Sequence, residues 1–319
     1  MVVCAEIGGK KMSTKQSFGG PWTIEKLNIL SDYLNFYVTA LKNQPFNLIY
    51  IDAFAGTGHI NLGETPSEED VPGQISLEIN SNIEETTSKE AIIAGSASLA
   101  LQAKEQFSRY YFIEKNKKFA DELETLIDTE FPHRKPYVEV IKGRDCNEVL
   151  LELCRSIDWY KNRAVMFLDP FAANVKWQTL QAIVETHAID VWYLFPFSAA
   201  NRMMTKNGNI DPKWKDKLNS IFGNDSWEKE FYEDDPQISL FDQPSLKRYC
   251  STDKLKAYIE KRLETIFPKV STHSRVLYNS KHSPLFMFCF AVSSKNESAQ
   301  RLALKVADHI LIQKDRAKR

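Results

Sequence analysis

Cysteine is scarce in this chain. The 319 residues hold five: Cys4, Cys146, Cys154, Cys250 and Cys289. They are odd in number and widely scattered, and no pair has C-x-x-C spacing, which argues against a disulfide framework and a zinc ribbon. The six histidines (59, 133, 187, 273, 282 and 309) show no ligand spacing either, so no metal is expected. Net charge is also small. With 41 basic and 42 acidic side chains the chain carries -1, so only a local patch offers an electrostatic route to nucleic acid. Long apolar runs are missing. The longest, such as "PLFMFCFAV", fall far short of the roughly 20 residues a spanning helix needs, and no membrane association is expected. The opening "MVVCAEIGGKKMSTKQ" lacks a basic start followed by an apolar core, so a cytoplasmic location is expected. There is no internal repeat, no low-complexity tract, no G-x-S-x-G and no phosphate-loop lysine.

What remains is ordinary globular material, 43% hydrophobic and 26% charged. Its periodicity alternates in type. Helical spacing over 23–42, with Thr23 as N-cap, precedes an apolar strand "NLIYIDAF". Further strands are read at 109–116, 137–143, 163–171 and 191–197, with helices between them. Near-continuous apolar strands are those buried on both faces of a parallel sheet. "SRVLYN" and "PLFMFCFAVSS" are close enough to form a hairpin, which makes the last strands antiparallel. The expected fold is therefore α/β: a doubly wound, mostly parallel, seven-stranded sheet with a C-terminal antiparallel hairpin. A single domain over 1–319 is expected. It carries a flexible polar insertion at 61–94 and a helical insertion or lid at 205–250.

In such a sheet a ligand lies at the carboxyl ends of the strands, at the switch point in strand order. Those ends supply Asp52, Phe54, Gly56 and Gly58, then Glu114, then Asp145, then Asp169, Pro170 and Phe171, then Asn201 and Arg202. The two glycines allow a tight bend and close approach of a ligand. The dinucleotide fingerprint G-x-G-x-x-G is incomplete, because Asn61 stands at the third glycine position. The other ligand considered is S-adenosyl-L-methionine. Asp52 suits its ammonium, Glu114 its ribose hydroxyls and Asp145 its adenine amino group. Asp145 also reads as a simple helix N-cap. The three acids in order favour the methyl donor over NAD.

"DAFAGTG" resembles the D-x-F-x-G-x-G loop of class I methyltransferases, above all those acting on DNA or RNA. "FIEKN", "GRDCNE" and "FLDPF" follow in that family's order. Over about residues 18–312, the blocks "KLNILSDYL", "YIDAFAGTG", "GSASLAL", "FIEKN", "FLDPFA" and "FPFSAANR" are similar to the three-Cys-motif partner (TcmP) family. That resemblance implies a methyltransferase-like fold and a protein partner encoded nearby. Amino-group methyltransferases carry D/N-P-P-Y/F after the fourth strand; here the run is Asp169-Pro170-Phe171-Ala172, one proline short. It implies Asp169, Pro170 and Phe171 as the catalytic acceptor site, with Asn201 and Arg202 beside the substrate. An acceptor amino group on a nucleic-acid base is expected. The alternatives are a different acceptor and a cofactor-binding partner subunit without turnover.

Overall fold

The computed structural model describes residues 21–62, 91–234, 246–279 and 281–316. The elements run α1 Pro21–Leu41, β1 Asn47–Asp52, β2 His59–Leu62, β3 Ala91–Ala94, α2 Ser96–Leu101, β4 Arg109–Glu114, α3 Lys117–Glu130 and β5 Val138–Lys142. They continue with α4 Cys146–Ser156, β6 Asn162–Leu168, α5 Trp177–Glu185, β7 Ile189–Phe195, α6 Phe197–Met203, α7 Pro212–Phe222 and α8 Ser226–Phe231. The last are β8 Tyr232–Asp234, β9 Leu246–Arg248, α9 Thr252–Glu264, β10 Lys269–Val270, β11 Arg275–Tyr278, β12 Pro284–Val292 and α10 Glu297–Arg316.

The central sheet has the order β10-β12-β7-β6-β1-β4-β5, with β11 also paired to β12. Strands β1, β4, β5, β6 and β7 are parallel, and β12 runs antiparallel to β7, β10 and β11. This is the mostly parallel α/β sheet expected, with eight strands rather than seven. The addition is the two-residue edge strand β10, too short to leave a period of its own in the sequence. The helix read over 23–42 is present, with its N-cap displaced. Helix α1 starts at Pro21, a residue suited to the first helical turn, so Thr23 lies inside the helix and is not its N-cap. Helix α10 was not foreseen. The 205–250 stretch holds α7 and α8, and the β8–β9 hairpin as well. Most of the 61–94 insertion, together with Cys4 and the N-terminal segment, lies outside the described residues.

Strand alternation sends successive side chains to two cores. Ile49, Ile51, Met166, Leu168, Val191 and Tyr193 pack with α4, α5, α7 and α9 on one face. Leu48, Tyr50, Val165, Phe167, Trp192 and Leu194 pack with α1, α2, α3 and α10 on the other. The sheet is thus covered on both sides, and its interior strands are apolar for that reason. The aromatics of "YLNFY" and "FMFCF" belong mainly to the second layer: Tyr33, Phe288 and Phe290 are fully buried. Cys146 and Cys289 are buried too, and burial pushes the Cys146 thiol up to about 12, leaving it inert.

The chain leaves β1 toward β4 and β5, then returns past β1 to β6 and β7. Strand order therefore reverses between β1 and β6. At that point the loops after the two strands diverge to opposite faces and leave a crevice.

Candidate functional site

The crevice is lined by the loops after β1, β4, β5, β6 and β7. Asp52 closes β1 and is fully buried. Its carboxylate accepts the Phe54 N–H at 3.1 Å, the Tyr50 hydroxyl at 3.2 Å and a hydrogen bond from the Ser96 hydroxyl. Burial nevertheless dominates and raises its pKa from 3.8 to about 6, with Asp169 adding repulsion. After Asp52 the backbone stays bonded to both neighbouring strands: Ala53 N–H donates to Phe167 O and Ala55 N–H to Ile113 O, each at 3.1 Å.

The glycine loop then bends. Gly56 and Gly58 have φ of 60° and 81°, in the left-handed region that glycine occupies freely. The Gly56 N–H donates to Glu114 Oε2 at 2.9 Å. The Gly58 carbonyl accepts the Gly95 N–H at 2.8 Å and the Ser98 hydroxyl at 2.6 Å. A side chain at Gly58 would meet Leu123 Cδ1 at 2.9 Å. The loop is thereby held against α2 and α3.

Glu114 closes β4. Its second oxygen accepts the Asn116 N–H at 2.7 Å, and burial raises its pKa despite these bonds. Asn116 in turn caps α3 through Lys118 N–H. Asp145 follows β5 and does act as an N-cap: its Oδ1 accepts both N–H and Nδ2–H of Asn147 at 3.0 Å. Capping occupies one oxygen, and its carboxyl is held below the usual range despite the opposing effect of burial, chiefly by the Asn147 bonds and then by Lys115 and Lys176.

Asp169 follows β6. It forms an ion pair, missed by the sequence reading, with Lys26 of α1. The lysine side chain is 7% exposed and the carboxylate 21%. Lys26 also sits 4.9 Å from the Trp22 ring centroid. Its signal in sequence is a lysine on the apolar face of an otherwise amphipathic helix, one turn before Leu30. Nothing in the sequence says which acid it meets. Pro170 is buried and Phe171 is 51% exposed. Phe54 packs half-buried at the edge of the first core.

On α6, after β7, the Asn201 carbonyl accepts from Arg248 at 2.7 Å, so Asn201 is held through its backbone. Arg202 is exposed and forms no ion pair with a described acid. His59, beside the glycine loop, faces Glu130 at 3.8 Å. The structure thus gathers Asp52, Gly56, Gly58, Glu114 and Asp169 around the β1 end, with Asp145 one loop further out.

The donors and acceptors fit a ligand with an ammonium, a diol and an adenine. The Glu114 carboxylate accepts the Gly56 and Asn116 N–H groups, with the Lys115 N–H also directed at it, which leaves lone-pair capacity for a ligand. Asp145 keeps an oxygen free of described hydrogen bonds. Asp52 sits buried where a cation would relieve its desolvation.

No family model and no curated protein sequence matches the chain. Among solved structures it is similar to protein LPL1258 of Legionella pneumophila, assigned to DUF519, at 13% identity over 90% of this chain and 91% of that one, TM-score 0.46. It is also similar to the methyltransferase domain of bacterial CtHen1-CN, at 11% identity over 83% and 100%, TM-score 0.34. A third is an S-adenosylmethionine-dependent methyltransferase from Clostridium acetobutylicum, at 11% identity over 83% and 92%, TM-score 0.35.

Proposed function

We propose that this chain is an S-adenosyl-L-methionine-dependent methyltransferase whose acceptor is an exocyclic amino group of a nucleic-acid base. The observation that carries the reading is the ordered set of carboxylates at the carboxyl ends of β1, β4 and β5, beside the switch point and joined to the glycine loop by the Gly56–Glu114 hydrogen bond. The similarity of the motif blocks to the three-Cys-motif partner family supports it. Asp52 binds the ammonium, Glu114 the ribose hydroxyls and Asp145 the adenine amino group, while Phe54, Gly56 and Gly58 shape the cradle. The cofactor, when bound, supplies an electrophilic methyl group.

The remaining roles fall to the loop after β6. A base amino nitrogen is a poor nucleophile because its lone pair is delocalised into the ring. The free oxygen of Asp169, with a nearby backbone carbonyl, accepts its N–H bonds and stabilises the positive charge that develops on attack. Lys26 holds the other oxygen and keeps the carboxylate in place. Pro170 stiffens the turn, and Phe171 stacks on the base, worth roughly 1–3 kcal/mol. A duplex target must be flipped out, so single strands are the preferred substrate. Asn201 and Arg202 lie beside the substrate.

The Lys26–Asp169 pair favours one alternative. With its charge already neutralised, Asp169 is a weaker acceptor, as suits a cofactor-binding subunit that acts through a protein partner without turnover of its own. The experiment is transfer of labelled methyl to DNA, RNA and protein pools by the wild type and by Asp169→Ala, with calorimetry of S-adenosylhomocysteine and NAD alongside. Nucleic-acid labelling lost in the variant supports the reading. Labelling of protein alone removes the base acceptor. Cofactor binding with no transfer selects the partner-subunit alternative. Binding of NAD alone overturns both.

A further inference from the structure

Three lysines on the rim of the crevice have no part in the chemistry above. Lys115 directly follows Glu114, Lys176 is the residue before α5, and Lys217 belongs to α7. The local fold brings them together. Asn147, whose amide is anchored on Asp145, donates to Asn174 O at 2.9 Å. Its side-chain oxygen accepts the Lys176 backbone N–H at 2.9 Å and the Thr179 hydroxyl at 2.8 Å. Those bonds stitch the loop from β6 to α5 onto the start of α4. Helix α7 packs on α5 so closely that a side chain at Gly223 would come within 2.3 Å of the Trp177 ring. Lys115 and Lys176 are thereby brought within electrostatic reach of Asp145, and Lys217 within reach of all three.

Three neighbouring cations are paired. Lys142 meets Asp121 and Glu124 at 2.6 Å, Arg144 meets Glu152 at 2.5 Å, and Lys215 meets Glu228 at 2.8 Å. Lys115, Lys176 and Lys217 have no acid within 4.0 Å among the described residues. Asp145 is a carboxylate whose field reaches all three. Lys115 and Lys176 are exposed and Lys217 is half-buried. Burial, then repulsion by Lys176 and Lys115, holds the Lys217 ammonium below the ordinary lysine range. Three cations set around one acid leave an excess of positive charge that an anion would relieve.

We propose that Lys115, Lys176 and Lys217 form a phosphate seat that grips the backbone of a single-stranded nucleic acid whose target base enters at Asp169. The strand assignment rests on the acceptor reading above; the phosphate seat rests on the lysines alone. Phe171 and Lys176 stand five positions apart in the loop between β6 and α5, so at full extension their Cα atoms lie at most about 17 Å apart. One strand, a few nucleotides long, reaches both. Lysines act as point charges without the fork that reads base edges, which suits grip without sequence preference. The seat also explains how a chain of net charge -1 can hold a polyanion: the charge is local.

The test measures binding of fluorescein-labelled single-stranded RNA and DNA 12-mers to the full chain by anisotropy, across a salt series. Wild type is compared with the triple variant K115Q/K176Q/K217Q, and S-adenosylhomocysteine affinity is followed by calorimetry in both. We expect at least a tenfold loss of oligonucleotide affinity and a salt slope shallower by about 0.7 for each phosphate released, with S-adenosylhomocysteine affinity unchanged. Equal oligonucleotide affinity in the variant overturns the seat. Lost S-adenosylhomocysteine affinity in the variant also overturns it, because the lysines would then serve the cofactor. Competition by AMP and inorganic phosphate separates the sources: displacement of the strand by millimolar AMP with no wild-type preference for 12-mers overturns the strand in favour of a small phosphorylated acceptor. Wild type that binds 12-mers through the lysines yet ignores S-adenosylhomocysteine keeps the seat and sinks the methyltransferase reading.

Discussion

Asp52 should be a liability for folding at neutral pH, and replacing it should stabilise the protein while abolishing cofactor binding. The carboxyl is fully buried, and its pKa stands at about 6 against 3.8. The folded state therefore binds the proton more tightly than the unfolded chain. The favourable contribution is fully present below pH 3.8 and is lost as pH rises through about 6. The difference of roughly two pKa units corresponds to about 3 kcal/mol of penalty on the ionised form above that window. Asp52→Asn removes the charge and keeps the shape. The amide accepts through a single oxygen and its NH₂ must find a partner, so a net gain of about 1–2 kcal/mol is expected at pH 7.5. For a chain of 319 residues that is roughly 1.5–3 °C in Tm. Urea unfolding at pH 7.5 and pH 5 checks it: the gain shrinks at the lower pH, where wild-type Asp52 is itself largely protonated in the fold. Calorimetry should show S-adenosylhomocysteine affinity down by at least tenfold, because the ammonium loses its counter-charge. A variant less stable than wild type at pH 7.5, or a gain equal at both pH values, refutes the reasoning.

Lys26→Met leaves Asp169 uncompensated and should cost about 3 kcal/mol, while the double variant K26M/D169N should recover most of it in urea unfolding; full additivity would mean that the pair carries no coupling. Gly56→Val should block S-adenosylhomocysteine in calorimetry while leaving the circular dichroism spectrum intact, since a β-branched residue cannot hold a φ of 60° without strain beside the ligand. Gly58→Ala should lower stability by about 1–2 kcal/mol, from its positive φ alone, with more added by the Leu123 contact; unchanged Tm would argue against both. Phe171→Ala should weaken single-strand binding about tenfold or more with Tm shifted by less than 2 °C, because the ring is half exposed.

Much of this protein was decided by local pattern. Strands β1, β4, β6, β7 and β12 are apolar because both of their faces are covered, and that burial wrote continuous hydrophobic runs that are read without any structure. The hairpin β11–β12 was legible from the few residues between its strands. The acids Asp52, Glu114, Asp145 and Asp169 were legible as strand-end residues, since a polar residue that halts an apolar run marks the rim of a sheet. Their partners were not. Which hydrogen bond each acid makes depends on strand order, and strand order is a long-range choice. The cap that Asp145 puts on α4 is local and was legible too; only the tertiary structure brought Gly56 onto Glu114 and carried Lys26 from residue 26 to a carboxylate at 169. The same holds for the lysines at 115, 176 and 217: each alone is a solvated charge, and they share the field of Asp145 because α7 packs on α5 and the loop before α5 is tied to α4. Composition and periodicity record what a residue is buried against in kind. They carry no term for which distant segment supplies it, because that is set by packing among elements far apart along the chain.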